Sequence, residues 1–303
     1  MKRDFRRSLV LLAMLTLFAY SRITSISSKR YLSDEMVNVS SDDTSREKND
    51  RPIMHTFFEP DPKGYCCGML NSGHELLLSA WEQAWQDRGW KTKVLTEEDA
   101  KRHPEFSTFE SKLKETHLSL YDQKCYWRWF AMAATDDGGW MSDYDAFPLE
   151  MDANVGSKLA VESNGVFTSF SMHVPCLIYA AREEWDRILH LMLGTIEEDG
   201  NRRSSDMQSL IKVGERIGVE EAGMIWKDQT YRTFAYRRNE DDQLVVNCEK
   251  IAGLKIAHLS HKGTIEAYKA KLYPEIDRKL GPINGRGVAA EIFMKDYREH
   301  CMN

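Results

Sequence analysis

Apolar positions fall into three regimes along the chain. Behind Lys2, Arg3, Arg6 and Arg7, an unbroken apolar run from Leu9 to Tyr20 (LVLLAMLTLFAY) stands by itself. A basic flank followed by an apolar stretch has the form of a secretory signal or signal-anchor. The run alone would rise about 18 Å as a helix, short of a ~30 Å hydrocarbon core. Extension to Ile26 reaches spanning length and takes in Arg22, which would snorkel. The reading is a cytoplasmic tail over residues 1–7 and a signal-anchor over 8–26, with cleavage near Ala19-Tyr20-Ser21 as the competitor. Residues 27–51 are rich in Ser, Asp and Lys without an apolar period, and read as a flexible stem. Within it, Asn38-Val39-Ser40 fits the N-glycosylation acceptor pattern.

From residue 52 to 303 the pattern becomes that of a folded domain. Ile53 to Phe58 is a compact apolar run between prolines and reads as a buried first strand. After a loop through Gly73, Leu77, Ala80, Trp81, Ala84 and Trp85 recur at helical spacing, and Gly89 stops the helix. Lys91 to Leu95 predicts a second strand, and Thr96-Glu97-Glu98-Asp99 a helix cap with acidic first-turn residues. Strand, helix, strand, helix in that order points to a parallel α/β sheet. No GxGxxG follows the first strand, so a dinucleotide fingerprint is absent. An aromatic-rich helix is predicted from Ser119 to Ala134, then a short strand after Gly138-Gly139. Later, Val166 to Phe170 reads as a strand, Val174 to Ile178 as the lead into a helix with Trp185, and Ser205 or Asp206 as a helix cap. Leu254 to Ala257 reads as a strand ending at His258.

Composition narrows the classes. Eight Trp, 12 Tyr and 12 Phe in 303 residues are too many for a disordered chain. The formal net charge is −6; residues 1–50 hold nine Lys/Arg and seven Asp/Glu, so the remainder carries 32 against 40, near −8. That balance argues against nucleic acid as a partner, since nucleic-acid binders present a basic face. The cysteines are Cys66, Cys67, Cys125, Cys176, Cys248 and Cys301, none in a CxxC spacing, so a zinc ribbon is not indicated. Disulfides in a lumenal domain and buried free thiols both fit them, and spacing does not choose a pairing.

The segment Gly138-Gly139-Trp140-Met141-Ser142-Asp143-Tyr144-Asp145-Ala146-Phe147-Pro148-Leu149 carries the chemistry. A glycine pair leads into a strand that ends in two acids two residues apart. On a strand, i and i+2 share a face, so Asp143 and Asp145 can approach one cation. Hard divalent cations take carboxylate oxygens and share their shell with substrate phosphates, and strand ends in open α/β sheets are where ligands bind. The physical reading is a cation held by carboxylates and clamping a diphosphate.

GGWMSDYDAFPL resembles the GGxYxDxDxxPL segment of DxD glycosyltransferases with a GT-A fold, an α/β Rossmann-like single domain. The likeness is to the group with yeast-type α-1,6-mannosyltransferases, glycosyltransferase family 32. Trp81 to Trp85 and Lys93 to Asp99 also resemble that group's W…W…G…LWTDED region. The resemblance covers roughly residues 52–150. It implies a Golgi or endoplasmic-reticulum single-pass type II protein with a lumenal catalytic domain. It further implies a UDP- or GDP-sugar donor, a glycan or glycoprotein acceptor, Mn²⁺ (or Mg²⁺), and retention at the anomeric carbon. Asp143 and Asp145 would be the DxD acids, touching donor and metal. The family places an Arg eight residues before the glycine pair, whereas Arg128 stands ten before Gly138. The family's acid three residues before that Arg is Cys125 here, with Asp122 the nearest acid. Donor contact and a salt-bridge or capping role are both open to Asp122 and Arg128. An acid from a later helix implies Asp206 toward the anomeric centre, and a late strand implies a metal-binding histidine. His258 and His261 are the candidates, with preference for His261 because Lys262-Gly263 follows it and could meet the diphosphate. A phosphohydrolase with an aspartate nucleophile and a non-catalytic carbohydrate-binding protein are the alternative classes.

Overall fold

The computed structural model describes residues 51–66, 68–116, 118–198, 205–272 and 280–302. The expected anchor over 8–26, Asn38 and Cys67 lie outside the described residues. Among those described, no helix is long and apolar enough to cross a membrane.

The chain is mixed α/β. Strand β1 (Ile53–Phe57) leads through a hairpin of β2 (Tyr65–Cys66) and β3 (Met69–Leu70) into helix α1 (Asn71–Asp87). The helix starts ahead of Gly73, which the sequence places in a loop, and it stops before Gly89, whose φ of 84° favours glycine. Strand β4 (Lys91–Leu95) and helices α2 (Glu97–Ala100), α3 (Phe106–Glu115) and α4 (Leu120–Ala133) follow. The Thr96 cap is closed by the Asp99 carboxylate, which accepts the Thr96 N–H at 2.9 Å.

Next come β5 (Gly138–Ser142), β6 (Ala146–Pro148), α5 (Ala153–Ser163), β7 (Thr168–Ser169), β8 (Leu177–Ala181), α6 (Arg182–Glu198) and α7 (Asp206–Ile217). Short strands β9 (Ile225–Trp226), β10 (Thr230–Tyr231), β11 (Tyr236–Arg238) and β12 (Leu244–Val246) precede α8 (Cys248–Ile251) and β13 (Ile256–His258). Helices α9 (His261–Lys269), α10 (Gly281–Asn284) and α11 (Arg286–Cys301) end the fold.

The main sheet has the order β4-β1-β5-β8-β7-β9 and is mixed, which corrects the expected parallel sheet. Its β4-β1-β5 half is parallel, as the strand–helix alternation implies. Strand β8 runs antiparallel to both β5 and β7. The link from Ser169 to Leu177 is too short for a parallel crossover, so the chain must turn back. Only Leu177 and Ile178 of the segment expected to lead into the Trp185 helix belong to this strand, which itself runs on into that helix at Arg182. Only Thr168 and Ser169 of the predicted 166–170 strand pair as one.

Neighbouring strand residues face opposite cores. Trp140 and Leu177 point into the cluster shared with α1 and α11, whereas Met141 and Ile178 point into that of α4, α6 and α7. Helix α11 packs along α1, and Gly287 permits the approach, since a Cβ there would lie 2.6 Å from the backbone of Leu76. The disulfide Cys248–Cys301 ties the end of α11 to α8, while Cys66, Cys125 and Cys176 are free thiols.

Candidate functional site

Strand β5 stops at Ser142, so Asp143 and Asp145 lie on a turn rather than on the strand. Ala146 N–H closes that turn onto the Asp143 carbonyl at 3.0 Å. Asp143 N–H is held by the Cys176 carbonyl at 3.1 Å, and the Asp145 carbonyl accepts Leu259 N–H at 2.8 Å. Two tryptophans of α1 grip the turn from both sides. Trp81 Nε1 donates to Ser142 Oγ at 2.8 Å, and Trp85 Nε1 to the Ala146 carbonyl at 3.0 Å. Their four-residue spacing, read from sequence as a core stripe, is also what spans the acid pair.

A small second sheet, β10-β13-β6, delivers the histidine. The antiparallel register sets His258 opposite Ala146, the residue after Asp145. His258 Nε2 lies 3.2 Å from Asp145 Oδ1 and 3.8 Å from Asp143 Oδ2. The other oxygen of each acid is taken by an arginine: Arg128 binds Asp143 Oδ1, and Arg286 binds Asp145 Oδ2. Each carboxylate is therefore split, with one oxygen on a guanidinium and one turned to His258. Arg286 also donates to the Leu259 carbonyl at 2.9 Å. Arg128 continues to Asp206, its Nε 2.9 Å from Oδ2, and Trp129 Nε1 donates to the same oxygen at 3.0 Å. Asp206 Oδ1 accepts Met207 N–H at 2.7 Å, which leaves this buried acid occupied on both oxygens.

Burial and charge act differently on the two acids. At Asp143, burial outweighs the Arg128 guanidinium and raises the carboxyl. At Asp145, burial pushes the same way, but His258 and Arg286 overcome it and hold the carboxyl below its ordinary range. Burial opposes charge on His258, yet Cys176 and Asp145 raise it well above the usual imidazole range. The ring is thus an imidazolium in the absence of a cation. Three acids against two arginines leave a charge near −1 once that proton is removed.

The three free donor atoms of Asp143, Asp145 and His258 lie within 4.8 Å of one another. Two carboxylate oxygens and one imidazole nitrogen suit Mn²⁺, and Mg²⁺ less well because of the nitrogen. The thiol of Cys176, hydrogen-bonded to His258, would orient the ring from behind. The residues present fit a divalent cation.

This group opens into a cavity of about 460 Å³ lined by Phe58, Glu59, His74, Tyr121, Arg128 and Lys262 among others. Of the two candidate histidines, His258 meets the acids. His261 begins α9 and lines the cavity further out, against Gly68 of the hairpin. Strand β13 ends at His258, which is why the two rings part. Lys262 is exposed at the rim and lies 3.9 Å from Glu266. Asp122 caps α4, accepting from Ser119 Oγ at 2.6 Å, and is not among the lining residues. Arg286 escaped sequence reading. Its signal is an arginine set between Gly285 and Gly287 at a helix start, where the close α1–α11 approach brings it to Asp145. Tyr144, between the acids, places its hydroxyl 2.8 Å from His74 Nδ1 and its ring against Phe58.

The chain belongs to a family described as a domain of unknown function (DUF8765), which matches residues 43–223. That span holds Arg128, Asp143, Asp145 and Asp206 and ends before His258 and Arg286. No curated protein and no solved structure matches the chain.

Proposed function

We propose that this chain is a metal-dependent glycosyltransferase on a GT-A-type fold. It would move a sugar from a nucleotide-diphosphate donor to a glycan or glycoprotein acceptor, with retention. In this reading the N-terminal segment anchors it in the Golgi or endoplasmic reticulum with the catalytic domain lumenal. The observation that carries the reading is the division of the acid pair. Arg128 and Arg286 each hold one oxygen, so that Asp143 Oδ2 and Asp145 Oδ1 converge with His258 Nε2 beside a ligand-sized cavity.

A cation bound there would act as a Lewis acid on the departing diphosphate. The chain's own residues set the rest. Arg128 and Arg286 fix the carboxylate planes, and the two tryptophans hold the turn that carries them. Lys262 at the rim offers an exposed positive charge to an anionic donor. Tyr144, His74 and Phe58 give the cavity an aromatic wall. Asp206 is engaged by Arg128 and Trp129, so it positions that arginine and is not a free nucleophile. In a retaining path the leaving diphosphate is then the group left to accept the acceptor's proton.

The test is turnover of the full-length chain with Mn²⁺ across UDP- and GDP-sugars, read as donor hydrolysis and transfer. Activity should vanish with a chelator and return with Mn²⁺. Asp143→Ala and Asp145→Ala should each cost more than the ~10–100-fold typical of residues behind a metal ligand. Absence of both turnover and donor binding would refute the transferase reading. Donor binding without turnover would leave a carbohydrate-binding protein instead.

A further inference from the structure

Away from the cleft, two histidines and two acids converge between the turn before α3 and the first half of α6. His103 Nε2 lies 2.8 Å from Asp186 Oδ1, and His190 Nε2 lies 2.7 Å from Glu105 Oε2. Asp186 Oδ1 is also 3.5 Å from His190 Nδ1. Donor atoms of His103, Glu105 and Asp186 all fall within 4.8 Å of one another. Asp186 and His190 are four residues apart on α6, so they share one face of that helix.

The tautomer at His190 is informative. Its Nδ1–H donates to the Asp186 carbonyl at 2.8 Å, which leaves Nε2 with a lone pair in the neutral ring. That lone pair faces an anionic oxygen, an arrangement that only a proton or a cation relieves. A histidine held by a backbone carbonyl with Nε2 outward is the usual posture of a metal ligand. Among the described residues, neither Glu105 nor Asp186 is paired with an arginine or lysine, in contrast to the three acids of the cleft. With neutral histidines the group carries a charge of −2.

We propose that His103, Glu105, Asp186 and His190 form a second metal site, selective for a borderline divalent cation of the Zn²⁺ type. Two nitrogens and two oxygens complete a tetrahedral shell from the protein alone, which marks a structural site. Metal–ligand bonds of about 2.0–2.2 Å set ligand atoms about 3.3–3.5 Å apart, so the two close pairs open by about half an ångström. His190, which lies outside the group of three that fall within 4.8 Å of one another, closes in on them. Binding through His103 Nε2 moves its proton to Nδ1 and gives up the 3.3 Å contact from Glu105 N–H. The ion would join the α3 turn to α6, which the His103–Asp186 and His190–Glu105 side-chain pairs already link.

Equilibrium dialysis of the full chain against Zn²⁺ tests this by difference. Glu105→Gln acts at a half-exposed side chain, and His190→Asn keeps a donor for the Asp186 carbonyl while removing Nε2. Each should bind one Zn²⁺ fewer than the wild type, with an unchanged far-UV circular dichroism spectrum. Zn²⁺ should raise the wild-type Tm more than that of either variant. Equal Zn²⁺ uptake by the wild type and either variant overturns the proposal. Because uptake is compared between chains that all keep the cleft, the result is independent of the transferase reading.

Discussion

Replacing Arg128 by Met, Asp206 by Asn, and both together tests whether Asp206 serves as the anchor of that arginine. At the 2.9 Å of the Nε contact, an effective dielectric near 20 gives an attraction of about 6 kcal/mol. Desolvation of two buried ions offsets much of it, and removing one partner of such a pair costs about 3–5 kcal/mol. Arg128→Met leaves two carboxylates, Asp143 and Asp206, without their cation, and should cost about 4 kcal/mol. Asp206→Asn keeps the shape and leaves Arg128 its bond to Asp143, so about 2–3 kcal/mol is expected. In the double variant position 206 is a neutral amide, so of the two carboxylates only Asp143 is left without its cation. Its cost should stay near 4–5 kcal/mol, a coupling of about 2 kcal/mol. Urea unfolding in chelator, followed by tryptophan fluorescence, reads this directly. With a slope of about 3 kcal/mol/M, Arg128→Met should lower the midpoint by about 1.3 M. Additivity within about 0.5 kcal/mol would refute the anchoring role and return Asp206 to the list of acids free for chemistry.

Three further outcomes follow from the same geometry. His55 is buried with Nδ1 donating to the Trp140 carbonyl at 2.9 Å, and burial lowers its pKa from 6.5 to about 4. The unfolded chain therefore binds the extra proton between those values. About 3 kcal/mol of stability, complete above pH 6.5, is lost as pH falls toward 4. His55→Asn keeps a donor to the carbonyl and should flatten that part of the pH dependence of the urea midpoint; an unchanged slope contradicts the assignment. His258 is held as an imidazolium at pH 7, so Mn²⁺ binding should release about one proton per ion, and calorimetry in buffers of different ionisation enthalpy measures it. His258→Gln should abolish the release, and a wild type that releases none would remove His258 from the ligand set. Cys248 and Cys301 close a loop across a separation of 53 residues, worth about 4 kcal/mol of unfolded-chain entropy. Cys248→Ser/Cys301→Ser should lower stability by roughly that amount and steepen the denaturant slope as the uncrosslinked chain expands, and a loss under about 1 kcal/mol would show that the loop is restrained by other means.

Much of the fold was legible because its signals are local. Apolar spacing marked α1, the Thr96 cap with its acidic first turn marked α2, and Ser119 and the Ser205-Asp206 pair marked the starts of α4 and α7, where Ser119 and Ser205 do cap. The parallel β4-β1-β5 half of the sheet was legible, but the reversal at β8 was not. Strand β8 looks like the entrance to a helix because Leu177 to Ala181 is buried on both faces and lacks alternation. The site divides the same way. Gly138-Gly139 before two spaced acids stands out in one dimension, but Arg286 lies 141 residues from Asp145. The choice between His258 and His261 turned on where one short strand ends.

The sequence by itself determined the elements whose cause lies within a turn or two of chain, and the acid pair as the place to look for chemistry. Only the tertiary structure decided how that pair is used. Pairing of β13 with β6 set His258 beside the turn, and packing of α11 on α1 brought in Arg286. The reason is physical. Periodicity and capping are local and written residue by residue, whereas which oxygen of a carboxylate meets a guanidinium and which stays open depends on the register of distant strands. That register is set by burial of both core faces together.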